Sequence, residues 1–271
     1  MEGCPYDCTY CILQAYLGHR NIIVSADTDS IINDIKELAA QGVKRRLGTG
    51  ELSDSLALDK LFPFTQIISP VINKQDVIQF EFKTKSANIE NLLNLNPKNI
   101  IVSWSLNPQS VVDANEPGAV PVAGRLKAAQ TCADAGYKVA FHFDPIIYGY
   151  EEEYEALFET LTNSIDERAV EYISLSTFRG PAKLIDKMRE RKDFPEMLRH
   201  DMIRGLDGKS RYFKPLRREM IRHALQTLKK GWPSVFIYLC MEHANIWQDL
   251  FGFDPGEREE LEKLFPYQQM P

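Results

Sequence analysis

The sequence predicts an α/β fold in which a parallel sheet is covered by helices. Short apolar runs typical of strands alternate with helix-length amphipathic segments along most of the chain. Gly42 and Gly136 lie where helix C-terminal caps are expected, and a strand pattern follows each of them. About five or six strand–helix units can be counted, fewer than the eight of a complete barrel. We therefore expect a partial barrel of the (β/α)6 type.

The individual elements can be placed in order along the chain. The strand candidates are Val43–Leu47, Ile78–Thr84, Asn99–Ser105, Lys138–Asp144, Glu171–Ser176 and Val235–Cys240. The helix candidates are Thr28–Gln41, Ala87–Leu95, Val122–Ala135, Glu151–Ile165, Ala182–Arg191 and Leu216–Lys229. Residues 204–214 predict a loop or hairpin, because two glycines flank an aspartate there.

One domain over residues 1–271 is the simplest organisation. We divide it into a cluster loop (residues 1–20), a barrel core (21–200) and a C-terminal hairpin and helical part (201–271). The hydrophobic content of 44% and charged content of 26% are ordinary for globular proteins. No apolar run is long enough to span a bilayer and no signal-peptide pattern is visible, so we expect a cytoplasmic protein without a membrane partner.

Charge and cysteine content narrow the function classes. A formal net charge of −6 argues against a surface that is basic all over, but it leaves room for a local basic patch. Three of the five cysteines fall within eight residues, which favours metal binding in a reducing compartment over a disulfide framework.

Cys4, Cys8 and Cys11 are spaced C-x3-C-x2-C within GCPYDCTYC. Thiolates suit iron–sulfur clusters and zinc, and a four-iron cluster usually takes four of them. Three close thiolates without a nearby fourth leave one iron open, and the aromatic Tyr10 before the last cysteine also matches the pattern of radical S-adenosylmethionine (SAM) enzymes. A zinc knuckle is the alternative, and it would need a fourth ligand such as His19.

The two remaining cysteines have a simpler interpretation. Cys132 lies in a helical pattern and Cys240 in an apolar strand pattern. We interpret both as buried core residues rather than metal ligands.

From the cysteine motif onward, the sequence resembles the spore photoproduct lyase family of radical SAM proteins. The resemblance covers nearly the whole chain, through the segments GCPYDCTYCILQAYLG, GTGELSDSLALD, FEFKTKS, SWSLNP, EPGA, GRLKAAQ, AGYKVAFHFDPII and YLCMEHANIWQDLFG. It implies a radical SAM barrel that holds a [4Fe–4S] cluster and cleaves SAM to a 5′-deoxyadenosyl radical. It also implies a carbon–carbon lyase that acts on thymine dimers or other DNA lesions, and a reductant such as flavodoxin or ferredoxin. A radical SAM enzyme with a non-DNA substrate and a non-catalytic iron–sulfur or zinc module are the alternatives.

The resemblance also implies a SAM site at the ends of the first strands. Gly48, Gly50 and Glu51 resemble the Gly-Gly-Glu element that receives the SAM amino group, since glycines admit close backbone approach and a carboxylate complements an ammonium. Ser53 and Asp54 are further SAM-contact candidates. Either of them could also cap a helix through residues 56–61, and both roles can hold at once.

Three more residues are assigned to SAM by the same resemblance. Lys85 matches the position of a lysine against the SAM carboxylate, although a lysine at a strand end is usually just solvated. Ser105 and Asn107 match contacts to the ribose or the carboxylate, and they would otherwise be turn formers before Pro108.

His142 and Asp144 are catalytic candidates because their period-two spacing on a strand directs both side chains to the same side of the sheet. A satisfied core pair is the alternative, since buried polar groups are costly unless they are used or paired.

Glu51 and Tyr10 are the remaining catalytic candidates. Glu51 stands where members of the family carry a cysteine that returns a hydrogen atom to the product radical, and Ile12 replaces a family tyrosine. A carboxylate cannot deliver a hydrogen atom as a thiol does. Either a different reaction is run, or another residue such as Tyr10 or Tyr148 supplies the hydrogen.

Only Met1–Gly3 precede the first cysteine, whereas radical SAM proteins place a strand before the cluster loop. We therefore expect a partial barrel that lacks this strand, in a truncated gene model, a fragment or a true short form.

A basic segment at residues 209–222 corresponds roughly to a DNA-contacting hairpin of the family. Basic side chains interleaved with aromatic ones suit phosphate contact and base wedging, and a solvated helix face is the alternative. The nucleic-acid candidates are Lys209, Arg211, Tyr212, Lys214 and Arg218.

Overall fold

Six parallel strands form the central sheet of the computed structural model, which describes residues 1–192, 195–205 and 207–269. The strands are β1 (Arg45–Thr49), β2 (Ile78–Thr84), β3 (Ile100–Ser105), β4 (Lys138–Ile146), β5 (Val170–Thr177) and β9 (Ile237–Leu239). Their order in the sheet is β1-β2-β3-β4-β5-β9, and each strand is parallel to its neighbours. This arrangement confirms the predicted α/β fold. All six strands follow the cluster loop along the chain.

The order of the strands explains where a site can form. Consecutive parallel strands are neighbours from β1 to β5, so the sheet never reverses direction. Because crossovers between parallel strands are right-handed, the connecting helices pack on one face. The other face is left to line an interior, as in a barrel.

Ten α-helices are present among the described residues, several of them close to their predicted limits. They are α1 (Leu13–Tyr16), α2 (Thr28–Ala40), α3 (Phe64–Ile72), α4 (Gln109–Asn115), α5 (Val122–Asp134), α6 (Glu151–Ser164), α7 (Ala182–Arg189), α8 (Lys214–Gly231), α9 (Ala244–Phe251) and α10 (Arg258–Glu262). None of them is long and apolar enough to cross a membrane, within the part of the chain that the structure describes.

The predicted helix over residues 87–95 is wrong, because only a short 3-10 turn, Leu92–Asn94, forms there. Asn88 explains the difference: its side-chain amide donates to the backbone carbonyls of Leu56 and Ala57, at 3.3 and 3.1 Å. Such side chain-to-backbone bonds compete with helix formation.

The helix considered for residues 56–61 is also absent, and that segment forms turns before α3 begins at Phe64. Asp54 still behaves like a cap, because its Oδ1 atom accepts from the backbone N–H groups of Leu56 and Ala57 at 3.0 and 2.8 Å.

A second, small antiparallel sheet confirms the predicted hairpin. Strands β7 (Met202–Arg204) and β8 (Lys209–Tyr212) pair with each other, and β8 also pairs with β6 (Arg179–Pro181). Residue 206, within the predicted hairpin segment, lies outside the described residues.

The inner face of the main sheet is polar, and this polarity positions the site. On β2, Glu81 and Lys83 alternate with the buried rings of Phe80 and Phe82. In the register of the sheet, Lys83 is level with Ser103 on β3. Because side chains alternate between faces along a strand, the polar residues at period two share the inner face.

Candidate active site

A cavity of about 580 Å³ lies at the carboxyl ends of the parallel strands. The predicted residues that line it are Cys4, Cys8, Tyr10, Cys11, Gly48, Gly50, Glu51, Ser53, Asp54, Lys85, Ser105, His142, Asp144 and Lys209. The structure therefore brings most of the proposed cluster, SAM and catalytic residues to one cavity.

Cys4, Cys8 and Cys11 are free thiols on one part of the cavity wall. Burial raises the pKa of Cys4 to about 11 and that of Cys8 to about 12, and it also raises the pKa of Cys11. The thiols are therefore protonated in the cluster-free protein, and metal binding would have to release their protons.

The donor set fits a four-iron cluster. Among the described residues, no three His, Cys, Asp or Glu side chains are grouped closely enough to hold one metal ion. A zinc ion would need such a group, whereas each thiolate of a [4Fe–4S] cluster binds a different iron atom. Three soft thiolates without a grouped fourth ligand therefore suit the cluster better than zinc.

The end of α4 holds the cluster loop in place. The Thr9 backbone N–H donates to the carbonyl of Asn115 at 2.8 Å, and the Thr9 hydroxyl donates to the Asn115 side chain at 2.7 Å. The Asp7 N–H donates to the carbonyl of Pro117 at 3.3 Å. Because these bonds fall between the cysteines, they fix the backbone from which the thiols project.

Tyr10 belongs to the same attachment. Its hydroxyl donates to the buried carboxylate of Glu116, and the Asn107 amide donates to both groups at 3.1 Å. Tyr154 in turn donates to Asn107 at 2.6 Å. Asn107 is therefore used in positioning Tyr10 and Glu116, and it is not part of the cavity wall.

Gly50 lets the backbone of β1 approach β2 at the cavity edge. Its φ is 102°, and a Cβ atom there would lie 2.8 Å from the Lys83 carbonyl oxygen. Only glycine meets both conditions without strain. The neighbouring Glu51 is exposed and lines the cavity, and its carboxylate makes no hydrogen bond or ion pair with the described residues.

Asp54 has a structural role in the cavity wall. Besides capping the turn, its carboxylate accepts from the Thr84 hydroxyl and from the Lys85 backbone N–H, both at 2.6 Å. These bonds tie the loop after β1 to the end of β2. Asp54 therefore caps a turn rather than a helix, and both Ser53 and Asp54 line the cavity.

Two lysines of β2 and its end, Lys83 and Lys85, line the cavity. The Lys85 ammonium lies 5.8 Å from the centre of the Tyr10 ring. Burial disfavours its charge, but Glu116 raises the pKa of Lys85 above its ordinary value. Neither ammonium hydrogen-bonds to a described residue, so both are available to an anionic ligand.

His142 belongs to a buried network on the inner face of the sheet. Its Nε2 lies 2.8 Å from Glu81 Oε1, while Arg46 Nη1 lies 2.9 Å from Glu81 Oε2. Burial and the charge of Lys83 lower the pKa of His142, so the imidazole is neutral and donates to the carboxylate. Burial alone would raise the pKa of Glu81, but the histidine and Arg46 hold it below its ordinary value.

Asp144 faces the same cavity from the end of β4, as the period-two spacing predicted. Arg179 lies 3.2 Å from its Oδ1 atom. Burial by itself would raise the pKa of Asp144, but the charge of Arg179 outweighs it and lowers this pKa. Arg179 also donates to the sulfur of Cys240, at 3.7 Å. Cys240 packs against the core and also lines the cavity.

Sequence reasoning missed several residues of the cavity wall, namely Arg46, Glu81, Lys83, Arg179 and Cys240. Glu81 and Lys83 could have been identified from the sequence, because they lie at period-two spacing with Lys85 and therefore share one face of β2. Arg46 and Arg179 carried no such pattern.

The predicted nucleic-acid residues do not form one open basic patch. Tyr212 is fully buried, which contradicts its predicted contact with nucleic-acid bases. Alternation along β8 turns its ring toward His200 and Phe178. Arg211 pairs with Asp207 at 2.5 Å.

Two other basic candidates share one carboxylate. Lys214 and Arg218 lie 3.9 and 3.3 Å from Asp249 Oδ2. Lys209 lines the cavity instead of extending the surface.

Comparison with known proteins agrees with this geometry. The family model described as "Spore photoproduct lyase" matches residues 1–230. A spore photoproduct lyase from a Geobacillus species is 28% identical over 198 residues, which cover 69% of this chain and 58% of the relative. The Bacillus subtilis spore photoproduct lyase is 29% identical over 196 residues, which cover 68% and 56%. The chain thus spans less than two thirds of the length of these relatives.

Solved structures share the fold. A spore photoproduct lyase mutant with dinucleoside spore photoproduct matches with a TM-score of 0.80 and 25% identity, over 88% of this chain and 75% of that one. Streptococcus suis SuiB bound to S-adenosylmethionine matches with a TM-score of 0.56 and 11% identity, over 97% and 53%. The six-stranded parallel sheet is thus the half-barrel of the radical SAM fold.

Proposed function

Because this chain belongs to the spore photoproduct lyase family, we propose that it is a radical SAM enzyme with a [4Fe–4S] cluster on Cys4, Cys8 and Cys11. One observation carries the proposal: three free thiols at C-x3-C-x2-C spacing share a cavity with the close-approach glycine and two available lysine cations. When bound, the cluster and SAM supply a 5′-deoxyadenosyl radical that abstracts hydrogen from the substrate.

The chain's own residues have distinct tasks in this proposal. The three thiolates would hold the cluster, and an iron without a protein ligand would be available to SAM. Lys85 neutralises the SAM carboxylate, since its buried ammonium has no hydrogen-bond partner among the described residues. Gly48 and Gly50 let β1 approach β2 closely at the edge where the methionine moiety would bind, and Glu51 and Ser53 stand beside them. Ser105 provides a polar contact from the end of β3.

For the substrate, we propose a lesion in DNA of the thymine-dimer type. The family relationship supports this class, and so do two cations in the cavity wall, because Lys83 and Lys209 suit the phosphate of a dinucleotide. A non-DNA substrate is the second candidate. It is favoured by Glu51 in place of the family's cysteine and by the burial of Tyr212.

The reductant in this proposal is a low-potential one-electron carrier such as flavodoxin or ferredoxin. We also propose a cytoplasmic location. The cytoplasm is reducing, and a reducing compartment keeps the three thiols available for the cluster.

The test is anaerobic reconstitution with iron and sulfide, followed by incubation with SAM and dithionite. We expect a brown protein with four irons per chain, as in [4Fe–4S] proteins, and formation of 5′-deoxyadenosine. Cys4→Ala should lose both, whereas Cys132→Ala, which removes a buried thiol outside the cavity, should keep both. A colourless protein that binds zinc would contradict the proposal.

The substrate is tested in the same assay. DNA that contains the spore photoproduct should increase 5′-deoxyadenosine formation and be repaired. SAM cleavage that no lesion-containing DNA stimulates would instead favour the non-DNA substrate.

A further inference from the structure

Cys240 is a fourth thiol in the active-site cavity, at the end of the last strand of the sheet. It is part of a group of three side chains. Arg179 donates to its sulfur at 3.7 Å, and the same guanidinium lies 3.2 Å from the Asp144 carboxylate. Both partners also line the cavity, so this group faces the space that SAM and substrate would occupy.

Cys240 is a protonated thiol, as a hydrogen-atom donor must be. Burial and the charge of Asp144 raise the pKa of Cys240 to about 11, so the sulfur keeps its hydrogen at neutral pH. A thiolate has no hydrogen atom to give, and a buried thiol does. The S–H bond is also weaker than the O–H bonds of carboxyl and alcohol groups, so a carbon radical can take its hydrogen.

The other candidates for this task are less suited by their contacts. The Tyr10 hydroxyl is held by Glu116 and Asn107 at the base of the cluster loop. Tyr148 packs edge-on against His200, with ring centres 4.7 Å apart, and it is not in the cavity wall. The carboxyl O–H bond of Glu51 is too strong.

We propose that Cys240 is the catalytic residue that returns a hydrogen atom to the substrate-derived radical. This inference rests on the proposed function. The 5′-deoxyadenosyl radical takes hydrogen from a substrate C–H bond, and 5′-deoxyadenosine forms. After the substrate radical rearranges, the Cys240 S–H bond breaks and a product C–H bond forms. The sulfur is left as a thiyl radical, which one electron from the low-potential donor and one proton from water return to the thiol.

Positioning residues follow from the same contacts. Arg179 donates to the sulfur and is itself held by the Asp144 carboxylate, so the two residues fix where the thiol lies. Lys83, the other cation of this part of the cavity, is left for the substrate.

The first experiment needs no substrate. Reconstituted protein is given SAM and dithionite in D2O, without thiol reductants. The Cys240 hydrogen exchanges with solvent, so the 5′-deoxyadenosyl radical should collect deuterium from it. We expect wild-type protein to form deuterated 5′-deoxyadenosine. Cys240→Ser, which keeps a hydroxyl for Asp144 and Arg179, should lower the deuterated fraction several-fold.

Matched controls separate the possible outcomes. Cys132→Ala removes a thiol that is buried in α5 away from the cavity, and it should keep the wild-type label. Full labelling in Cys240→Ser, or unlabelled product from wild-type protein, would overturn the role of Cys240 while leaving the proposed function intact. A wild-type protein that forms no 5′-deoxyadenosine would instead overturn the proposed function.

A second measurement uses the cluster-free protein. Methyl methanethiolsulfonate, a small thiol reagent, should modify Cys240 faster than Cys132, because only the former is reached through the cavity. Mass spectrometry of the peptides gives the two rates. Equal protection of both cysteines would contradict an S–H group that is open to a radical in the cavity.

Discussion

Glu116 and Arg125 form an ion pair, 2.5 Å between Oε2 and Nη2, in which neither side chain is exposed to solvent. Arg125 also donates to the carbonyl of Ser105 at 2.9 Å, and Glu116 accepts from Tyr10 of the cluster loop. One buried pair therefore links α5, the end of β3 and the loop that carries the cysteines. The position of the cluster loop therefore depends on residues more than one hundred positions away in sequence.

Breaking this pair should strongly destabilise the protein. Arg125→Met leaves the buried carboxylate of Glu116 without its ion-pair partner, which costs about 3–5 kcal/mol. The free energy of unfolding of the cluster-free protein, measured in urea, should fall by about that amount. Lys60→Met is the control, because it breaks the exposed Lys60–Glu90 pair and should cost less than about 1 kcal/mol. Similar losses in both variants would contradict the role of the buried pair.

Gly50→Ala should damage the SAM site. The new Cβ atom would lie 2.8 Å from the Lys83 carbonyl oxygen at a φ of 102°, so β1 must shift or bear about 1–3 kcal/mol of strain. We expect weaker SAM binding by equilibrium dialysis and a lower urea midpoint. Gly18→Ala is the matched control, since no atom lies within 4 Å of its Cβ position. Unchanged SAM affinity in Gly50→Ala would show that the close approach is not required.

Stability should decrease in acid because three carboxylates, buried or half-buried, have lowered pKa values. Against the desolvation of burial, His142 and Arg46 lower the pKa of Glu81. Neighbouring cations lower the pKa of Glu116 and Asp144 in the same way. In the unfolded chain these groups bind protons at their ordinary pKa, which is higher. Their stabilisation is therefore present above that pKa and is lost as pH falls below it, by up to about 1.4 kcal/mol per pH unit for each group.

The measurement is the free energy of unfolding between neutral pH and the acid range. Glu81→Gln removes one of the three groups, so its curve should be flatter than that of wild-type protein. Parallel curves would mean that the network around Glu81 does not contribute to the acid dependence.

If the protein binds DNA through α8, Asp249 should oppose that binding. Its carboxylate neutralises Lys214 and Arg218, at 3.9 and 3.3 Å. Asp249→Ala should free both cations, tighten DNA binding and steepen the dependence of log K on log salt by up to about 1.8 for two phosphates. Fluorescence anisotropy at several salt concentrations measures this slope. Glu259→Ala removes the same charge at an exposed position and serves as the control. An equal change in both variants would mean that only net charge matters.

The sequence by itself determined the elements whose signal is local. Alternation of strand and helix patterns predicted the parallel sheet, because period-two and helical periodicities arise from neighbouring residues. The spacing of Cys4, Cys8 and Cys11 predicted the thiol set, and period two on β4 placed His142 and Asp144 on one face. Local patterns failed at residues 87–95, where the Asn88 side chain bonds to a distant loop.

Only the tertiary structure decided which distant residues meet. Cys240 has an apolar strand pattern around it, yet the parallel sheet brings the end of β9 to the same cavity as the cluster loop. Tyr212 has basic neighbours that indicate a surface, yet strand alternation buries its ring. Glu116 and Arg125 reach the cluster loop through buried contacts that no local pattern encodes. The physical reason is common to all three: burial and partner choice depend on how the elements pack, and packing joins residues that are far apart in sequence.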